Sequence, residues 1–120
     1  MTKYDLRDRS YRFAVEIVRF CLTLLKNNEI RELGRQLIRS GTSVGANVEE
    51  ADGARTRKDF SNKMTIARNE AKETMFWLRL IIDSEVLHNK ENLKKANELL
   101  SESEQLIKII STIAVKTSAV

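Results

Sequence analysis

Apolar residues recur along this chain at intervals of three and four, in four long stretches parted by short polar breaks. That spacing is the period of an α-helix with one face turned inward. The first stretch predicts a helix over about residues 6–26. Phe13, Ile17, Phe20 and Leu24 take one side of it, Ala14, Val18, Cys21 and Leu25 the middle, and Tyr11, Val15 and Leu22 the other side. Projected at about 100° per residue they span roughly 220°, about twice the arc that one bundle face requires. The remaining arc holds Asp8, Arg12, Glu16 and Arg19, opposite charges at i,i+3 and i,i+4 that read as a solvated face.

The second stretch predicts a helix over about residues 29–52, with Ile30, Leu33, Leu37, Gly41, Val44, Val48 and Ala51 on its apolar stripe. Arg31, Arg35 and Arg39 lie opposite, one turn apart. The run Ser40 to Gly45 is poor helix material and predicts a bend or a close helix–helix contact there, with a break into two helices as the alternative. Gly53 is the expected stop. A third helix is predicted over about residues 57–87, opened by Thr56 and Asp59 in the manner of a capping box. Its core stripe is Phe60, Met64, Ala67, Ala71, Met75, Leu78, Ile82 and Val86, and a second stripe carries Ile66, Glu70, Glu73, Trp77 and Leu80. The fourth is predicted over about residues 90–115, with Leu93, Ala96, Leu100, Ile107, Ile110 and Ala114 on one stripe, Leu106, Ile109 and Ile113 widening it near the end, and a frayed tail from Lys116 to Val120. Long helices joined by turns of about two to five residues run antiparallel to their neighbours. The fold class is therefore all-α, an antiparallel up-down four-helix bundle, in one domain spanning residues 1–120.

Composition adds limits. The chain has no proline, four glycines and a net charge of +4 from 21 basic and 17 acidic residues, which is mildly basic. Cys21 is the only cysteine, so no disulfide forms within the chain and a cytoplasmic location is expected. No apolar run approaches the ~20 residues that cross a bilayer, so no membrane partner is expected.

The chemistry-bearing residues are few. A metal-binding bundle uses paired Glu-x-x-His motifs, whereas Glu85-x-x-His88 occurs once, at a helix end. No nucleophile has a base at a suitable spacing, and Gly41 to Gly45 does not follow a strand as a phosphate loop would. No catalytic residue, metal or cofactor is expected, and the protein reads as a non-enzyme. Ser43, Asn47 and Glu50 line one edge of the second helix, with Glu73 on the neighbouring helix. They read as a structural polar network, with a ligand site as the sharper alternative. Arg31, Arg35, Arg39, Arg55, Arg57 and Lys58 are the candidate nucleic-acid contacts, set against a merely solvated face.

The run from Gln36 to Ala51, QLIRSGTSVGANVEEA, resembles the signature of the four-helix-bundle proteins encoded in intervening sequences of bacterial 23S ribosomal RNA genes. Gln36, Arg39, Ser43, Asn47 and Glu50 carry the resemblance, with Arg55 and Phe60 after them and Ala67, Glu73, Trp77 and Leu78 in the third helix. Ala51 replaces a frequent glycine, and Gly45 stands where many members have proline. The resemblance implies a bundle that assembles as a ring, usually a pentamer, with no established enzymatic activity. It extends to the accessory protein of diversity-generating retroelements, which binds nucleic acid and a reverse transcriptase. The expectation is a bacterial homo-oligomer that binds RNA or DNA, most readily structured RNA, or partners such as a reverse transcriptase. The alternative is a scaffold acting through protein contacts alone.

Overall fold

The computed structural model describes residues 3–118. Four helices account for nearly all of them: α1 (Lys3–Leu25), α2 (Arg31–Asp52), α3 (Arg57–Asp83) and α4 (Lys90–Ser118). Their directions follow from the contacts between them. Gly45 lies against Ser10, Gly41 against Ile17 and Gly34 against Leu24, so α2 descends as α1 rises. Glu50 pairs with Lys63 and Arg39 with Glu70, an antiparallel register for α2 and α3. Arg9 pairs with Glu102 and Glu16 with Lys95, which sets α4 antiparallel to α1. The result is an up-down bundle 48 Å long and about 20 Å across. Helices adjacent in sequence pack along their lengths, whereas α1 and α4 touch more sparingly.

The buried row of α1 is Leu6, Phe13, Ile17, Phe20, Cys21 and Leu24. Burial pushes the Cys21 thiol up to about 12, because nothing around it solvates a thiolate. In α3 and α4 the buried rows are offset from the predicted ones. Thr74 and Ile81 are fully buried where Met75 and Ile82 are half-buried, and Leu99 and Leu106 are buried where Leu100 and Ile107 are half-buried and Leu93 is exposed. Both helices carry apolar arcs wider than one stripe. The row that reaches the axis is chosen by the positions of the two neighbouring helices, which periodicity along one helix does not contain.

The glycine run leaves α2 unbroken. It serves a close contact. A Cβ on Gly41 would lie 2.8 Å from Ile17 Cγ2 and 2.9 Å from Ile17 Cγ1, and one on Gly45 would lie 3.1 Å from the Ser10 carbonyl oxygen. On the other side of α2, Ser40 and Thr74 form the buried polar pair of the α2–α3 seam, with their hydroxyl oxygens 3.0 Å apart. The Thr74 hydroxyl also reaches the Glu70 carbonyl at 2.7 Å.

Helix ends depart from expectation where the caps act. Asn27 accepts from the Glu29 backbone amide at 3.0 Å, which holds a turn, so α2 starts at Arg31 and not at residue 29. Thr56 caps α3 by accepting from the Asp59 amide at 3.0 Å. α3 stops at Asp83, before residue 87, and Glu85 takes a φ of 58° in the turn beyond it. Asn89 accepts from the amides of Glu91 and Asn92 and opens α4. α4 continues to Ser118, past the predicted end, and Thr117 bonds back to the Ile113 carbonyl. Ala119 and Val120 of the predicted tail lie outside the described residues.

Candidate nucleic-acid interface

The three α2 arginines, one turn apart in sequence, have three different fates. Arg31 donates from Nε to the Leu25 carbonyl at 2.9 Å and from Nη2 to Asn28, so it ties down the C-terminus of α1. Arg35 is exposed, with Glu32 at 3.5 Å one turn back. Arg39 reaches across to α3, to Glu70 at 3.2 Å and to Glu73. The acids that answer Arg39 belong to another helix, so the α2 sequence alone made the stripe look unopposed. Arg55, Arg57 and Lys58 are all exposed, and none makes an ion pair among the described residues. They sit at the α2–α3 turn, where the N-terminal end of α3 adds partial positive charge.

The four residues read as a polar network divide in two. Ser43 donates to the Arg39 carbonyl at 2.8 Å and Asn47 to the Ser43 carbonyl at 2.8 Å, both within α2. Glu50 and Glu73 do cross to the neighbouring helix, Glu50 to Lys63 at 2.8 Å and Glu73 to Arg39. Trp77 Nε1 donates to Glu73 at 3.3 Å. The crossing pairs are partly solvated, so each adds at most about 1 kcal/mol. The buried cross-helix polar contact is Ser40–Thr74. Ser40 opens the run that is poor helix material, but nothing in the sequence marks Thr74 as its partner.

Charge pairing on α1 is also tertiary. Arg7 grips Glu49 through Nε and Nη2 and reaches Asp52 at 3.0 Å. Arg9 meets both oxygens of Glu102 at 2.7 Å, and that bond raises its pKa. Lys95 beside Glu16 holds that carboxyl below its ordinary range. These pairs wall an open groove between α1 and α4 of about 440 Å³, floored by Phe13 and Leu99. Each of its acids has a cation beside it, Lys95 for Glu16 and Glu98 and Arg9 for Glu102. Among the described residues no group of three or more His, Cys, Asp or Glu is placed to hold a metal ion, and no helix is long and apolar enough to cross a membrane.

A helical bundle with a Ser-Val-x-x-Asn-x-x-Glu edge on its second helix and an arginine-bearing turn after it defines one class of small all-α proteins. The sequence profile of the 23S rRNA-intervening sequence protein family matches residues 2–112, and the chain belongs to that family. A crystal structure of a protein of unknown function from the S23 ribosomal protein family of Bacteroides thetaiotaomicron has the same fold. It is 37% identical to this chain, with a TM-score of 0.81 over 91% of this chain and 97% of that one. No curated protein matches the chain.

Proposed function

We propose that this protein is a non-enzymatic cytoplasmic homo-oligomer, a ring of five subunits as first choice, that binds structured RNA through basic surfaces repeated once per subunit. The observation that carries the reading is the contrast among the cations. Most arginines of α1 and α2 are spent on acids or helix ends, whereas Arg55, Arg57 and Lys58 stand exposed together with no ion pair among the described residues. Solvated cations free of acids are what a phosphate backbone recruits, by releasing the counterions on it.

Self-association is supported by the apolar side chains that the lone bundle leaves wet. Tyr11 is 63% and Leu22 is 54% exposed on α1, and Ile66 is 42% and Leu80 is 38% exposed on α3. Tyr11, Val15, Val18 and Leu22 recur on one stripe, and such continuous apolar surface marks protein contacts. A head-to-tail contact that closes on itself buries the stripe on every copy. A net charge of +4 per chain then gives about +20 on a five-membered ring, so individually weak phosphate contacts add. The exposed apolar stripe equally suits a scaffold that binds protein only.

A mobility-shift titration with an RNA stem–loop at about 50 mM and about 200 mM salt separates the readings. Binding at the lower salt that collapses at the higher supports the RNA reading. An intact oligomer that retains no RNA at the lower salt leaves the scaffold.

A further inference from the structure

On α3 and α4 the acids and the cations face different ways. Lys63, Glu70, Glu73 and Thr74 all reach α2, which fixes that shoulder of α3. At about 100° per residue, Arg68, Lys72 and Arg79 fall within about 40° of one another on the opposite shoulder, toward α4. On α4, Lys95 and Glu102 turn to α1. Lys90, Lys94 and Lys108 fall within about 40° of one another on the outer side, roughly 180° from the buried row of Ala96, Leu99, Leu106 and Ile110. None of these six cations makes an ion pair among the described residues, and all but half-buried Arg68 are exposed. Asp83, Glu98 and Glu104 are the acids within about 40° of these cations. From Lys90 to Lys108 the row rises about 27 Å along the bundle. Arg57 and Lys58, at the start of α3, lie beyond its upper, Lys108 end, because α3 and α4 run antiparallel.

Two details on this face point to a ligand. Arg68 Nε is the one buried side-chain nitrogen or oxygen without a hydrogen-bond partner among the described residues, and its Nη2 meets only the neutral Asn69 amide oxygen, at 3.5 Å. With no acid beside this guanidinium, its outer Nη groups lack an anionic acceptor that a phosphate oxygen would supply. Phe76 lies between Lys72 and Arg79 in sequence, is 55% exposed, and is held edge-on by Trp77 with ring centroids 5.2 Å apart. A fixed aromatic face among cations is the platform on which an unpaired base stacks.

Given RNA binding as the function, we propose that the α3–α4 face is the principal RNA surface of this protein. Arg68, Lys72, Arg79, Lys94 and Lys108 take phosphates of a stem–loop, and Phe76 takes an unpaired base of its loop. The α2 arginines are secondary, because Arg31 and Arg39 are committed to the fold.

The test is fluorescence anisotropy with an RNA stem–loop and with the blunt duplex of the same stem, across about 50–200 mM salt. The variants are Lys72→Gln/Arg79→Gln/Lys94→Gln and, with the same change in charge, Arg12→Gln/Arg19→Gln/Arg35→Gln. All six positions are exposed, and circular dichroism and sedimentation check that both variants fold and assemble. Lys94→Glu alone stands in if the α3–α4 triple does not assemble. The α3–α4 triple is expected to weaken binding at least about tenfold at the lower salt and to reduce the salt slope by about two to three. The α1–α2 triple stays within about twofold of wild type. Phe76→Ala lowers affinity for the stem–loop more than for the duplex. If wild type binds but the two triples weaken it equally, or the α1–α2 triple weakens it more, this surface is wrong while RNA binding stands. If wild type binds neither RNA at the lower salt, the function itself falls and this surface with it.

Discussion

Replacing Gly41 with alanine puts helix propensity and packing in direct opposition. Alanine in a helix interior is favoured over glycine by about 0.8–1.0 kcal/mol. At position 41 its Cβ would come within 2.8 and 2.9 Å of two carbons of Ile17, a residue with no solvent exposure. Carbon atoms prefer about 3.5–4.0 Å, so Ile17 must retreat by roughly 0.7 Å or α1 and α2 must part. Ile17 is β-branched and enclosed, so overpacking of about 2–3 kcal/mol is the expected penalty. The net effect is a loss of about 1–2 kcal/mol, a fall in melting temperature of about 4–8 °C for a chain of this size. In an Ile17→Ala background the two nearest carbons are gone and only the Cβ of residue 17, at 3.2 Å, remains, so the same Gly41→Ala change should fall to near neutral. Gly53→Ala is the control. Gly53 has φ −91°, which any residue adopts, and its Cβ would meet nothing nearer than 3.8 Å. That change should stabilise by about 0.4–1 kcal/mol. Thermal and urea unfolding followed by circular dichroism measure wild type and the four variants, Ile17→Ala among them. A higher melting temperature for Gly41→Ala in the wild-type background would refute the close-contact account of the glycine run.

Three further outcomes follow from the packing. Thr74→Val leaves the buried Ser40 hydroxyl without its cross-helix partner and should cost about 1–3 kcal/mol in urea unfolding, while Ser40→Ala/Thr74→Val should be much closer to neutral; a double variant worse than the sum would contradict this. Cys21, with its thiol pushed up to about 12 by burial, should resist a thiol reagent at neutral pH in the native protein and react once urea unfolds it; rapid native labelling would show that the site is open. Glu16 has its carboxyl held low by Lys95 in the folded state, so the pair contributes stability above the ordinary carboxylate range and loses it as pH falls through the folded value. The urea midpoints of wild type and Glu16→Gln should therefore differ at neutral pH and converge toward about pH 2, and a constant gap would rule the pair out.

Much of the fold is legible in the sequence because periodicity and caps are local. The four apolar stretches, Thr56 before α3 and the asparagines at both other turns place the helices to within a few residues. The glycine run shows where local reasoning stops. Poor helix material at Gly41 and Gly45 is compatible with a bend or with a close neighbour, and only the position of Ile17 on another helix decides for the neighbour. The same holds for the candidate site. Arg39 looked free along α2 because Glu70 and Glu73 arrive from α3. Arg68, Lys72 and Arg79 drew no attention because acids lie close to them in sequence, and it takes the bundle to show that Glu70 and Glu73 turn to α2. Ion pairing across helices is a property of register, and a stripe read on one helix does not carry it.

The central claim, a closed oligomer that binds RNA through phosphate contacts, is tested most directly by sedimentation of the protein with and without an RNA stem–loop at two salt concentrations. The account predicts that the protein alone sediments as a multiple of 13.8 kDa, five-fold as first choice. It further predicts that the RNA travels with this species at about 50 mM salt and separates from it at about 200 mM. A particle of 13.8 kDa, with the RNA sedimenting freely at the lower salt, would contradict it.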